Sequence, residues 1–132
     1  MNKIVAHFKD GQVAKGLTVD FNPAKERFHL LDENGVMDAP KREIALADLK
    51  GLYFVKDLVG DLGHAKSNIF DPQDLTPGSR IRVTFRDGEV MHGITQGYTP
   101  GRPGFFMVPA DRKSNTQRCY VNTSAALDIV FL

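Results

Sequence analysis

The chain has one cysteine, no tryptophan, no long apolar run and almost no excess of either charge. Cys119 alone among 132 residues cannot form an internal disulfide and fits a reducing compartment. No apolar stretch approaches the roughly 18 residues that a membrane-spanning helix needs. Residues 1–10 lack the apolar core of a secretory signal, so the expected location is the cytoplasm. With 17 Lys and Arg against 16 Asp and Glu, the net charge of +1 excludes a strongly basic nucleic-acid coat and an acidic disordered tail. The four histidines, His7, His29, His64 and His92, show neither His-x-x-x-His nor Cys-His spacing. No metal site is therefore expected, and they read as solvent-facing strand residues. A Walker-type phosphate loop and a dinucleotide fingerprint are both missing, so no cofactor is expected.

What remains is an ordinary globular composition, 42% hydrophobic and 25% charged, long enough for one domain or two very small ones. Self-similarity decides between them. The run Ile-Val-Ala-His-Phe-Lys-Asp-Gly-Gln-Val-Ala-Lys-Gly-Leu-Thr starts at Ile4, and Ile-Arg-Val-Thr-Phe-Arg-Asp-Gly-Glu-Val-Met-His-Gly-Ile-Thr starts at Ile81. At the same offset Phe21 meets Tyr98, Pro23 meets Pro100, Phe28 meets Phe105 and Phe54 meets Phe131. A register that survives this far past the turn reads as a duplicated unit. The division is residues 1–56, a linker over 57–79, and residues 80–132. The linker is acidic and holds Gly60, Gly63, Pro72, Pro77 and Gly78. Its apolar residues Leu58, Val59, Leu62, Ile69 and Phe70 are expected to make ordered contacts.

Each unit starts with period-two alternation, the mark of a strand with one buried face. Asp10-Gly11 and Asp87-Gly88 follow as hairpin signals. Second strands are expected over 12–20 and 89–97, with Gly16 and Gly93 allowing a bend or close backbone approach. Third strands fall at 27–31 and 104–108, and fourth strands at 42–46 and 118–123. Single 3₁₀ turns at 47–49 and 124–126 precede final strands over 51–55 and 127–132. The expected fold is all-β: tandem SH3-like or Sm-like small barrels of five short strands each, packed together. A unit of this size is marginal alone. The apolar run Ile129-Val130-Phe131-Leu132 also points to barrels that pack on each other, or to a homodimer.

Phe-x-Asp-Gly-x-Val-x-x-Gly-(Leu/Ile)-Thr, present in both units, resembles the first half of an Sm-type motif. Asp20 and Tyr98 fall where the RNA-binding Asp-Asn pair of Sm proteins would begin, but no Asn follows at that distance. RNA binding is therefore not carried over. The chain also resembles a bacterial family of unknown function that carries this pattern twice. In that family the second copy has Gly-Phe-Phe-x-x-Pro-Ala-Asp and then Ser-Asn, here residues 104–111 with Ser114 and Asn115. The resemblance implies a bacterial cytoplasmic protein or a module of signalling proteins, and no reaction.

The turn positions of Asp10 and Asp87 explain them without catalysis, so the chain is read as a non-enzyme. The surface to test lies in the second unit. Arg80, Arg82 and Arg86 share one side of a strand, while Arg102, Arg112, Lys113 and Arg118 come from loops and the fourth strand. Arginines can grip phosphate bidentately, and Tyr98 can stack on a base. Arg82 and Arg86 also match the Arg-x-x-x-Arg of PilZ-type cyclic-dinucleotide receptors, without the companion Asp/Asn-x-Ser-x-x-Gly. The polar loop containing Arg112, Lys113 and Asn115 differs from its counterpart at 34–40 and is a natural place for a specific function. The expected function is a non-enzymatic protein-binding or adaptor module, possible partners docking at sheet edges. The alternative is an Sm-like binder of nucleic acid or a cyclic nucleotide on this basic face.

Overall fold

The alternating segments become strands with an apolar row turned inward. In the computed structural model, which describes residues 1–33, 41–60, 64 and 67–132, β1 (Asn2–Phe8) buries Ile4 and Ala6. Likewise β6 (Ser79–Phe85) buries Ile81, Val83 and Phe85. Each reverses into its neighbour, β2 (Val13–Thr18) and β7 (Val90–Thr95). The first half continues with β3 (Arg27–Leu30), β4 (Arg42–Ala45), a 3₁₀ turn at Leu46–Asp48 and β5 (Leu49–Val55). The second continues with β8 (Gly104–Pro109), β9 (Thr116–Asn122), a 3₁₀ turn at Thr123–Ala125 and β10 (Ala126–Phe131). The protein is all-β, and among the described residues no helix is long and apolar enough to cross a membrane. Both 3₁₀ turns begin one residue earlier than predicted.

The Asp-Gly hairpins differ in detail from a two-residue turn. Only the glycines have positive φ, 91° at Gly11 and 96° at Gly88. Gly11 N donates to the Phe8 carbonyl and Phe8 N to the Gln12 carbonyl, and Gly88, Phe85 and Glu89 repeat this pattern. The turn thus closes one residue early, leaving glycine in the left-handed bulge position. Asp10 and Asp87 each accept the backbone N–H two residues on, from Gln12 and Glu89. The mid-strand glycines permit close approach. A Cβ on Gly16 would collide with the Leu31 carbonyl, and one on Gly93 would lie 2.5 Å from the Val108 carbonyl.

Eight strands form one antiparallel sheet in the order β10-β6-β7-β8-β9-β5-β1-β2. β3 and β4 form a separate hairpin, joined to β2 by a bridge between Leu17 and Leu31. No closed barrel forms among the described residues. Instead β9 of the second half pairs with β5 of the first, Leu52 opposite Tyr120 and Phe54 opposite Arg118. This seam places β5 between two apolar clusters. Tyr53 and Val55 join Val83, Phe85, Met107, Cys119 and Val121 on one side. Leu52 and Phe54 join Ile4, Phe28, Ile44 and Tyr120 on the other. All seven residues of β5 are consequently buried.

Elements of the two halves keep a constant spacing. β6 begins 77 residues after β1, and the same interval separates β2 from β7, β3 from β8, the two 3₁₀ turns, and β5 from β10. The described part of the 57–79 segment touches both halves, Lys15 donating to the Leu58 carbonyl while most of its other bonds go to the second half. Leu58 packs on the core and Phe70 stacks on His92, but Val59 and Ile69 stay largely exposed, contrary to expectation. Leu62 and the 34–40 loop lie outside the described residues.

Candidate functional site

The basic residues singled out from the sequence occupy several places. Arg80 and Arg82 project from the outer face of β6, Arg82 opposite His92 on β7. Phe70 covers part of this face, its ring 4.7 Å from the Arg80 guanidinium and stacked on His92. Arg86 donates from Nε to the Ser124 carbonyl, so it braces the second 3₁₀ turn. Arg118 lies over the rings of Phe54 and Phe106, at 4.3 and 4.7 Å. Tyr98 packs its ring on Phe105 and Phe131. Arg102 is exposed before β8, where its carbonyl accepts from Thr123 Oγ1. Arg112, Lys113 and Asn115 do come together in the β8–β9 turn, as neighbours in sequence. There Arg112 donates to Thr76 Oγ1, its carbonyl accepts from Lys56, and Asn115 holds the backbone of Asp57 from both amide atoms.

That turn is a clamp for the connecting segment, and its hub is Asp111. The Asp111 carboxylate accepts from the backbone N–H groups of Ser67 and Lys113 and lies 2.6 Å from His64 Nε2. Burial pushes this carboxyl up, but the His64 bond and the two N–H donors outweigh it, so its pKa lies below the ordinary carboxylate value. Asn68 continues the clamp by donating to the Val90 carbonyl and accepting from His92 N. His64 is thus a tie, not a solvent-facing strand residue. His7 is likewise half-buried against Tyr53, whereas His29 does face solvent on β3, bonded to Asp20 at 2.6 Å.

A second polar cluster ties the halves together, and the sequence reading missed it. Lys50 on β5 reaches Asp87 at 2.7 Å and Glu89 at 2.8 Å, both in the β6–β7 hairpin. Burial pulls the Lys50 pKa down, yet the bonds to Asp87 and Glu89 prevail and the net direction is upward. Tyr53 donates to Glu89 at 3.4 Å, and burial, with Cys119 and Glu89 nearby, raises its hydroxyl well above the ordinary range. Tyr53, Glu89, Met91, His92, Asp111 and Ser114 line a pocket of about 140 Å³ between this cluster and the clamp. It is smaller than the ~300 Å³ at which small-molecule sites usually begin. No signal in the sequence links Lys50 to the hairpin 37 positions later, because only the β5·β9 seam brings them together.

The open edge of β10 is the remaining feature. β10 pairs with β6 on one side and with no strand on the other among the described residues. Leu127, Phe131 and Leu132 are 65%, 53% and 56% exposed, and Asp128 is the one charge on the strand. The Leu132 N–H donates to the Arg80 carbonyl. By antiparallel alternation, the N–H and C=O groups of Ile129 and Phe131 point to the open side. Natural edges are usually blunted by lysine, proline or a bulge; β10 has neither lysine nor proline, and its register with β6 shifts between Ala126 and Asp128. At the other end of the sheet, β2 carries the exposed Lys15 and bridges to the β3–β4 hairpin.

These features define an all-β protein with one large antiparallel sheet, an internal polar clamp and an open apolar edge. The chain matches the family of unknown function DUF6982 over residues 1–132 and belongs to it. No curated protein and no solved structure matches it.

Proposed function

We propose that the chain is a non-enzymatic protein-binding module, built from two duplicated SH3-like or Sm-like units, that takes up an extended polypeptide strand on the edge of β10. The exposed apolar edge carries this reading. It offers backbone groups that pair with no strand among the described residues, and the side chains of Leu127 and Phe131 for contact. The duplication draws support from the 77-residue spacing of the elements. The kinship to small barrels draws support from the strand order, fifth-first-second-third-fourth in β10-β6-β7-β8-β9. The module's place in a bacterial cytoplasm, as part of signalling proteins, belongs to the same proposal.

A non-enzymatic role fits the use of the polar groups. The Asp111 carboxylate spends its hydrogen bonds on His64 and on the N–H groups of Ser67 and Lys113, and Ser67 Oγ accepts from Ile69 N. Nucleic-acid binding draws less support, since Arg86, Arg112 and Arg118 are engaged within the chain. The test is a photo-crosslinking residue placed at Leu127, with one at the exposed Val19 as control. Protein adducts at 127 far above those at 19 are expected. Equal yields, or adducts of nucleic acid, would remove the reading.

A further inference from the structure

We infer that the strand docked on β10 is β4 of a second copy of this chain, so that copies join head to tail as the two halves join inside one copy. The inference rests on the edge-binding reading and names its partner.

The constant spacing makes β10 the counterpart of β5, and β4, whose last residue Ala45 lies 77 positions before Asn122 at the end of β9, matches the second half of β9. Within the chain, β5 and β9 form the seam between the halves. Their counterparts each have an open side among the described residues, since β10 pairs only with β6 and β4 only with β3. Each copy therefore carries one half of a second seam at each end.

The backbone polarity agrees. Leu46 N donates to the Glu26 carbonyl, so alternation turns the N–H and C=O of Glu43 and Ala45 away from β3. Ile129 and Phe131 present theirs on the β10 edge. In the internal seam Leu52 faces Tyr120 and Phe54 faces Arg118. Shifted by the common interval, these pairs become Ile129 with Glu43 and Phe131 with Lys41 of the neighbour. Thus the outward groups of one edge meet those of the other in the register already used.

The side chains agree as well. Arg118 stacks its cation on Phe54 at 4.3 Å inside the chain. Lys41 would set a cation on Phe131, a ring now 53% exposed. Asp128 is the only charge on β10, while the opposing edge brings Lys41 and Arg42, its Glu43 being paired with Arg27 of the same copy at 3.0 Å. Two polar locks of the internal seam are not repeated. Asn122, which donates to the Leu46 and Leu49 carbonyls, corresponds to Ala45, and Lys50 corresponds to Leu127. The seam between copies is therefore weaker and reversible. Because its two sides differ, it is heterologous and produces a ring if the rotation closes or a filament if it does not.

Light scattering across a concentration series tests this. The expected mass exceeds the 14.7 kDa of one chain and rises with concentration. Ile129→Pro removes an outward N–H without touching the β6 ladder, and Glu43→Pro does the same on the other edge. Each variant alone should be monomeric. Mixed in equal amounts they should give a species of twice the chain mass and nothing larger, because each keeps one functional edge. If circular dichroism shows that a proline variant has lost its sheet, Phe131→Lys is used instead. It should yield monomer, and adding Lys41→Glu should restore assembly. A wild-type mass that stays at one chain up to about 1 mM, beyond the range of a specific interface, overturns the inference. So does a mixture that remains monomeric while the wild type assembles. In a monomer, rapid amide exchange at Ile129 and Phe131 would leave edge binding by a different polypeptide standing. Slow exchange there would remove both readings.

Discussion

β5 and β10 hold the same place in their halves, each following a 3₁₀ turn and pairing with the first strand of its half. Their surroundings are opposite. β5 lies between β1 and β9, with apolar clusters on both faces and all seven residues buried. Among the described residues β10 has a neighbour on one side only, and it leaves Leu127 and Phe131 largely in water. Equivalent strands thus become core or surface according to whether a fourth strand of a half is docked beside them. The cores depend on that docking too, since Tyr53 and Val55 complete one cluster and Tyr120 completes the other. Neither half encloses its apolar residues by itself, so the described strands stabilise one another across the seam.

The largest effect should separate the two strands directly. Leu52→Ala, at a fully buried site, should cost about 2–5 kcal/mol in denaturant unfolding. The counterpart Ile129→Ala, at a half-exposed site, should cost less than about 1.5 kcal/mol in a monomeric sample. Equal losses would break the comparison. Next comes Asn122→Ala, which strips a donor from two carbonyls at the seam and should cost roughly 1–3 kcal/mol. Ala45→Asn, its mirror image, should leave the isolated chain within about 0.5 kcal/mol of wild type and raise the mass seen by light scattering.

A smaller effect is expected from Lys50→Met. Its partners are about half exposed, so the loss should stay near 1 kcal/mol at neutral pH. The sign with pH follows from the raised Lys50 pKa. The ion pair contributes fully below 10.5 and its contribution disappears as pH climbs through the higher folded value. Thermal melts of wild type and variant should therefore converge in strong alkali. The smallest global effect belongs to Asp111→Asn. Because the folded Asp111 pKa is lowered, its contribution is present above the ordinary carboxylate value and fades as pH falls through the lower folded one. Limited proteolysis near Ser67 should increase at pH 7 in the variant and only in strong acid in the wild type.

Much of the strand pattern was legible in the sequence. Ile81, Val83 and Phe85 alternate with Arg82 and Thr84 because one face of β6 must be apolar, and that needs no knowledge of neighbours. The Asp-Gly pairs marked both hairpins, although the bulged geometry emerges only from the hydrogen bonds of Phe8 and Gly11. The basic surface was less legible. Arg80 and Arg82 do share a face, but Arg86 turns to Ser124 and Arg118 onto Phe54, partners set by contacts across the fold. His64 looked isolated because Asp111, its partner, is distant in the chain.

By itself the sequence determined the all-β character, the two matching sets of strands and the acidic segment between them, because alternation, turn residues and charge act over short distances along the chain. The tertiary structure decided which strand is core and which is edge, since burial depends on what lies alongside. It also placed Lys50 beside Glu89, bound the connecting segment to Asp111, and left Ile129 and Phe131 with backbone groups facing an open side.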